Sequence, residues 1–421
     1  MHDSSQPPVV VVGGGVIGAA AALRLQRSGL RTLVIDRNEP GRECSFGNAG
    51  VIATSFVLPL SSPRHILGAP RMMIDPLGPL SIRFGHLPSI APWLLRFLIN
   101  GMPARQRRTI EGLKALNGRA LSSWLELLGG VARTRLVQRG MLEVVRDAAG
   151  LSSLRGMAAR LSSEGVPLQP LDAGEVGEIE PLLRDRVAGG MLHPDVAHTP
   201  DPYGLVLELL GELRKAGGEV ARRQVRGIEP AGDTVRVILD GGIIEASHIV
   251  IAAGLRSDDL LRPLGMRVPL GVEFGYHLTL PHVGEMPSRP ISFHTEAFLA
   301  TPMTGGLRLA GTVELGRRDA EPNWKRSGQL FKLARRYLPG LCDARAEPWR
   351  GGRPSFPDSL PAIGRAPSSP RVVYAFGHQH LGLTQAAITA ECVDALVRDV
   401  PPPIALDPFS LRRFAGRASG P

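Results

Sequence analysis

Residues 8–36 read PVVVVGGGVIGAAAALRLQRSGLRTLVID. Val9 to Val12 form a β-branched apolar run. Gly13, Gly15 and Gly18 follow in G-x-G-x-x-G spacing, then a periodic apolar stretch reaches Leu25. The order predicts a strand, a tight turn and a helix that ends near Gly29, with a second strand over 31–35 and Asp36 at its carboxyl end. Gly13 allows the turn, Gly15 lets backbone N–H groups approach a pyrophosphate, and Gly18 lets helix and strand pack closely. Val16 and Ile17 open the helix, whose positive end suits the phosphates. An acid at position 36 accepts hydrogen bonds from ribose hydroxyls and repels a 2′-phosphate. The stretch therefore predicts a dinucleotide site for FAD or NAD rather than NADP, with Arg37 beside it.

A chain of 421 residues exceeds one ordinary core and suits two domains. Hydrophobic residues at 43% and a mean hydropathy of +0.03 describe a globular chain without a disorder signature. The first apolar run stops at Arg24 and has no basic flank before it, which argues against a membrane span or a signal peptide. Cys44, Cys342 and Cys392 lie far apart, so neither a disulfide framework nor a cysteine-built metal site is expected, and a cytoplasmic setting fits. No metal site is predicted.

The net charge of +10 is spread along the chain, with Arg105 to Arg108 (RQRR) its densest cluster. No stacking aromatics accompany that cluster, so nucleic acid is not expected as a partner. Residues 83–108 interleave Phe84, Trp93, Leu94, Leu95, Phe97, Leu98 and Ile99 with arginines. Two readings fit: an amphipathic helix docked on its own domain, and a peripheral contact with the inner membrane surface.

Further along, residues 58–92 read as irregular connection, 104–128 as a helix, 140–145 as a strand, and 151–163 and 172–179 as helices. Asp201 and Pro202 suit an N-cap and first helical residue. A strand over 219–228 precedes a hairpin at Asp240-Gly241-Gly242, and 248–252 returns as a buried strand ending at Ala253-Gly254. Alternation over 275–280, 298–303 and 307–313 predicts a mostly antiparallel sheet, with a helix over 326–337. Residues 349–364 are extended, 371–376 a strand and 385–397 the last helix.

Five stretches together resemble the FAD-dependent D-amino acid oxidase and dehydrogenase superfamily. They are the fingerprint with Asp36, Ser45-x-x-Asn48-Ala49-Gly50, the strand end Ile251 to Gly254, Trp349 to Gly364, and Gly377 to Thr384. The last two are most similar to bacterial D-amino acid dehydrogenases, and GHQHLGLT (377–384) to those acting on D-proline or cis-4-hydroxy-D-proline. The resemblance implies an α/β plus α+β fold: a Rossmann-like FAD domain of the glutathione-reductase type, with a mixed-sheet substrate domain. The expected division is 1–57, 200–264 and 349–421 for FAD, and 58–199 with 265–348 for substrate.

The same resemblance implies site roles. Gly13, Gly15, Gly18 and Asp36 would hold the ADP half of FAD, Ser45, Asn48 and Gly50 would border the flavin, and the Val225 backbone would face adenine. Gly382, Leu383 and Thr384 would aim backbone N–H groups at the pyrimidine edge, where a helix N-terminus stabilises negative charge on the reduced ring. Arg353 would clamp the substrate carboxylate through its planar fork. Tyr276 would give a hydroxyl to that carboxylate or lie in the core, and His378 and His380 would orient substrate or have structural roles. Residues 349–384 contain no cysteine, so the FAD is expected to be non-covalent. The implied reaction is hydride transfer from Cα of a D-amino acid to flavin N5. Glycine or sarcosine oxidation, and a flavin-binding RNA-modification or non-catalytic subunit, are the alternatives. The electron acceptor stays open between quinone, oxygen and a partner protein.

Overall fold

A computed structural model describes residues 6–61, 78, 80–281, 283–342 and 345–414. All four side chains of Val9–Val12 are buried, because this strand is central in a parallel sheet covered on both faces. The sheet has six strands in the order Ala362–Ala366, Ser369–Phe376, His248–Ile251, Val9–Val12, Thr32–Asp36 and Glu219–Arg222. Every neighbouring pair is parallel except the first. One face carries the fingerprint helix Val16–Arg27, the final helix Gly382–Arg398 and the helices Pro103–Leu128 and Pro202–Lys215. Ala19 to Ala22 are fully buried there, and their small side chains let the fingerprint and final helices approach closely. The other face carries a three-stranded meander, Val225–Ala231, Thr234–Leu239 and Gly242–Ala246.

A second sheet of nine strands forms the rest of the scaffold. Its path runs Glu347–Ser355, Gly271–Leu280, Gly306–Gly316, Phe298–Met303, Ile291–Phe293, Met141–Val145, Gly189–His193 and Gln169–Leu171, and Leu80–Ile82 pairs with Gly306–Gly316. Two of its pairings are parallel and the others antiparallel, so the sheet is mixed.

The expected boundaries shift in three places. Glu347–Ser355 belongs to the nine-stranded sheet rather than to the parallel one, because its ladder partner is Gly271–Leu280. The stretch 219–228 is two strands in different sheets, Glu219–Arg222 and Val225–Ala231, divided where Arg223 N–H donates to Asp36 O at 2.9 Å. Helix Leu87–Asn100 begins inside the stretch read as irregular, with Pro88 in its first turn and Pro92 within it. Strand Leu80–Ile82 also falls in that stretch, and 62–77 and 79 lie outside the described residues. None of the helix's side chains is fully buried, Trp93 Nε1–H donates to Ser355 O at 3.2 Å, and Leu95 and Leu98 are exposed. Among the described residues no helix is long and apolar enough to cross a membrane.

Candidate active site

A cavity of about 450 Å³ runs along the carboxyl ends of the parallel strands, where open α/β sheets bind ligands. Gly13, Gly15, Val16 and Ile17 form one wall, Asp36 and Arg37 the next, and Ser45 with Asn48 another. Val225, Ala253, Gly254, Gly382 and Leu383 also line it. Gly18, Ala49, Gly50, Thr384, Tyr276, Arg353 and His380 do not line it, and the second sheet contributes Phe274, Gly352 and Pro354. Gly18 sits behind the turn: a Cβ there would stand 1.8 Å from Gly13 O. Gly13 itself has φ +106°, and a Cβ on it would meet Ala252 O at 2.5 Å, so both positions require glycine.

Two helix N-termini open on the cavity without side-chain caps or acidic residues in their first turns. At the fingerprint helix, Val16 N–H donates to Ser45 Oγ at 3.0 Å. Asp36 is oriented by Gly14 N–H (2.7 Å to Oδ2) and Asn38 N–H (2.9 Å to Oδ1). At the final helix, Thr384 Oγ1 accepts from Ala53 N–H at 2.9 Å and donates to Val51 O at 3.4 Å. That side chain anchors the helix start to the loop beyond Gly50. An extended cavity with uncapped helix ends and no room for a Cβ at the turn fits a dinucleotide with a ring system at its far end.

The predicted catalytic residues divide by strand parity, since neighbouring residues of a strand point to opposite faces. Glu273, Gly275 and His277 share one face of Gly271–Leu280, and Trp349, Gly351 and Arg353 lie opposite them on the adjoining strand. Arg353 lies over Gly275, where a Cβ would stand 2.3 Å from Nη2. Among the described residues its guanidinium has no hydrogen bond or ion pair. Cys44 and His380 are close enough to feel its charge. Burial, and then Arg353, push the His380 imidazole down to about 4, so it is neutral near pH 7.

Tyr276 points to the other face. Its hydroxyl donates to Glu314 Oε1 at 3.3 Å and accepts from Asn323 N–H at 3.0 Å, in a packed core with Phe274 and Val272. Of its two sequence readings, this is the core one. His378 lines the cavity, but its Nε2 pairs with Thr389 Oγ1 at 3.0 Å, and burial pushes the ring down to about 3.

Sequence reasoning missed His277, the neighbour of Tyr276. Its Nδ1–H donates to Gly47 O at 3.1 Å and its ring stacks on Trp349 at 5.0 Å. Arg308 Nη1 donates to Asn48 O at 2.7 Å and Phe46 O at 3.3 Å. Together they tie the loop 46–48 to the second sheet. The cavity-lining Arg223 and Gln224 were also missed, and only their place just after a strand end signals them.

The chain belongs to the FAD dependent oxidoreductase family, which it matches over residues 8–396. Its cofactor is FAD, bound non-covalently as is typical of that family. It is 34% identical over 406 residues to a D-amino-acid oxidase from Bradyrhizobium diazoefficiens, covering 94% of this chain and 96% of the relative. It is 33% identical over 410 residues to a D-amino acid dehydrogenase from Paramagnetospirillum magneticum, with the same coverage. The fold matches the glycine oxidase from Geobacillus kaustophilus with a TM-score of 0.72, at 22% identity over 99% of this chain and all of that one. The protein is thus an FAD-dependent oxidoreductase of amino-acid substrates, related to D-amino acid oxidases and dehydrogenases.

Proposed function

We propose that this enzyme oxidises D-amino acids, cyclic ones such as D-proline and cis-4-hydroxy-D-proline among them, in the angle between the final-helix loop and the Arg353 face of the second sheet. The observation that carries the reading is the unpaired guanidinium of Arg353 lying over Gly275. A half-buried arginine without a partner is a ready carboxylate receptor, and two parallel charge-assisted hydrogen bonds fix the orientation of what it holds. Bound FAD supplies the two-electron acceptor that takes hydride from Cα.

The protein supplies placement. Gly13, Gly15, Gly18 and the start of Val16–Arg27 take the pyrophosphate, Asp36 the ribose, and Val225 the adenine edge. Ser45, Asn48 and Gly50 border the ring, and the N–H groups of Gly382, Leu383 and Thr384 face its pyrimidine side. Arg353 holds the substrate carboxylate so that Cα–H faces the ring, and neutral His380 lies close enough to contact the substrate. The relatives named above support D-stereochemistry, and the GHQHLGLT loop supports a cyclic substrate.

For the acceptor, exposed Leu87, Leu95, Leu98 and Met102 beside exposed Arg105, Arg107 and Arg108 support a membrane-borne quinone reached by peripheral contact. Co-sedimentation with anionic vesicles but not neutral ones is the expected result. Absence of any sedimentation would remove the membrane from the reading.

The test of the main reading is anaerobic bleaching of the flavin's visible absorbance by D-proline, cis-4-hydroxy-D-proline, D-alanine, their L-enantiomers, glycine and sarcosine. Fast bleaching by D-substrates alone is expected. Bleaching by glycine or sarcosine alone would overturn it in favour of a glycine or sarcosine oxidase.

A further inference from the structure

Glu273 is a buried carboxyl that the reading above leaves unused. It stands directly opposite Arg353 in the antiparallel ladder, on the face that carries Gly275 and His277. It is 3% exposed, and its Oε2 has no hydrogen-bond partner among the described residues. Nor does it form an ion pair with Arg353 there. Burial pushes its carboxyl above the ordinary range, and Arg353 and then the Ser355 hydroxyl pull it partly back. Folded proteins rarely leave such a group unsatisfied, and where one persists a ligand commonly completes it.

The spacing suits a particular ligand. Alternate residues on one face of an antiparallel strand are about 7 Å apart. A guanidinium over Gly275 and a carboxyl rising from Glu273 are therefore separated by a span that an α-amino acid bridges with one hydrogen bond at each end. Resting on the assignment of the substrate carboxylate to Arg353, we propose that Glu273 takes the nitrogen end: its carboxyl accepts a hydrogen bond from the amine on Cα. Arg353 and Glu273 then read the two ends of an amino acid. A carboxylic acid without an amine engages Arg353 alone and gains nothing from Glu273.

The experiment uses FAD-loaded wild type and Glu273→Gln. Benzoate, a carboxylate without an amine, is titrated by its perturbation of the flavin spectrum. The best D-amino acid of the panel is titrated by the concentration dependence of anaerobic flavin reduction. The substitution is expected to raise the apparent Kd of the amino acid about tenfold or more, the loss of one charge-assisted hydrogen bond, and to leave that of benzoate within about threefold. Equal weakening of both ligands would show that Glu273 acts only by holding Arg353 in place, and no change in either would show that it faces no ligand. Both results overturn the proposal. Should Glu273→Gln fail to retain FAD, Glu273→Leu, which leaves no buried polar atom, carries the same comparison. Failure of wild type to bind benzoate would instead overturn the Arg353 assignment, and failure of every amino acid to bleach it would overturn the oxidation itself.

Discussion

Glu143 and Glu273 are both buried in the same nine-stranded sheet and have opposite surroundings. Glu143 is fully engaged. Its Oε2 pairs with His193 Nε2 at 3.0 Å and its Oε1 with His294 Nδ1 at 2.8 Å, and the two rings continue to Ser55 Oγ (2.9 Å) and Ser153 Oγ (3.0 Å). Although burial alone would raise it, the hydrogen bonds from the two histidines hold this carboxyl down at about 2. Glu273 forms no ion pair among the described residues and its Oε2 has no hydrogen-bond partner there, with the Ser355 hydroxyl and Arg353 its polar neighbours. The contrast separates the two carboxyls by their partners: both oxygens of Glu143 are satisfied by the fold, whereas the Oε2 of Glu273 is not, which is the ground for the ligand role proposed for it. The same holds for the arginines, since Arg308 is spent on loop carbonyls while Arg353 is free.

The largest effect that would sharpen this contrast is at Arg353. Arg353→Met removes two charge-assisted hydrogen bonds at about 1.5–3 kcal/mol each. It should lower kcat/KM by roughly a hundredfold or more, with FAD content unchanged by absorbance. An undiminished kcat/KM would place the carboxylate elsewhere.

Next comes Glu143. Glu143→Gln breaks a buried charged network and should cost on the order of 3 kcal/mol in thermal or denaturant unfolding, with substrate KM unaffected. The sign with pH follows from the depressed pKa. The stabilisation is fully present above the unfolded carboxylate range near 4.5 and is lost as pH falls through about 2. Wild type should therefore lose stability between those values more steeply than Glu143→Gln, and parallel acid profiles would show that the ion pairing contributes nothing.

The smallest effect is at Tyr276, on the far face of the strand that bears Glu273. Tyr276→Phe removes a hydroxyl paired with Glu314 and Asn323. About 1 kcal/mol of stability should go, while kcat and KM stay within about twofold. A large rise in KM would mean that this face, and not the Arg353 face, meets substrate.

How much of this was legible in the sequence depended on range. The fingerprint was fully readable because strand, turn, helix and acid are contiguous, and the glycines announce a backbone requirement that Gly13 and Gly18 then display. Arg353 is singled out by resemblance alone, and its role belongs to the proposal. That Tyr276 and His277 fall on opposite faces relative to Arg353 was not readable, because parity is set by which face of Gly271–Leu280 the distant strand Glu347–Ser355 presents its arginine to. The same long-range pairing moved Glu347–Ser355 into the second sheet. Glu143, His193 and His294 come from three separate segments, and no local pattern marks a network assembled only by folding. A helix within 83–108 was legible from its interleaved apolar and basic residues, but its start at Leu87 was obscured by Pro88 and Pro92, which the first turn and a surface helix tolerate.

The most direct measurement of the central claim is a crystal structure of the FAD-loaded enzyme with benzoate bound. The expected result is the carboxylate forked on the Arg353 guanidinium, on the face shared by Glu273, Gly275 and His277, with the flavin between the loop 45–50 and the start of the final helix. A carboxylate bound away from Arg353, or a flavin ring facing Tyr276, would contradict it.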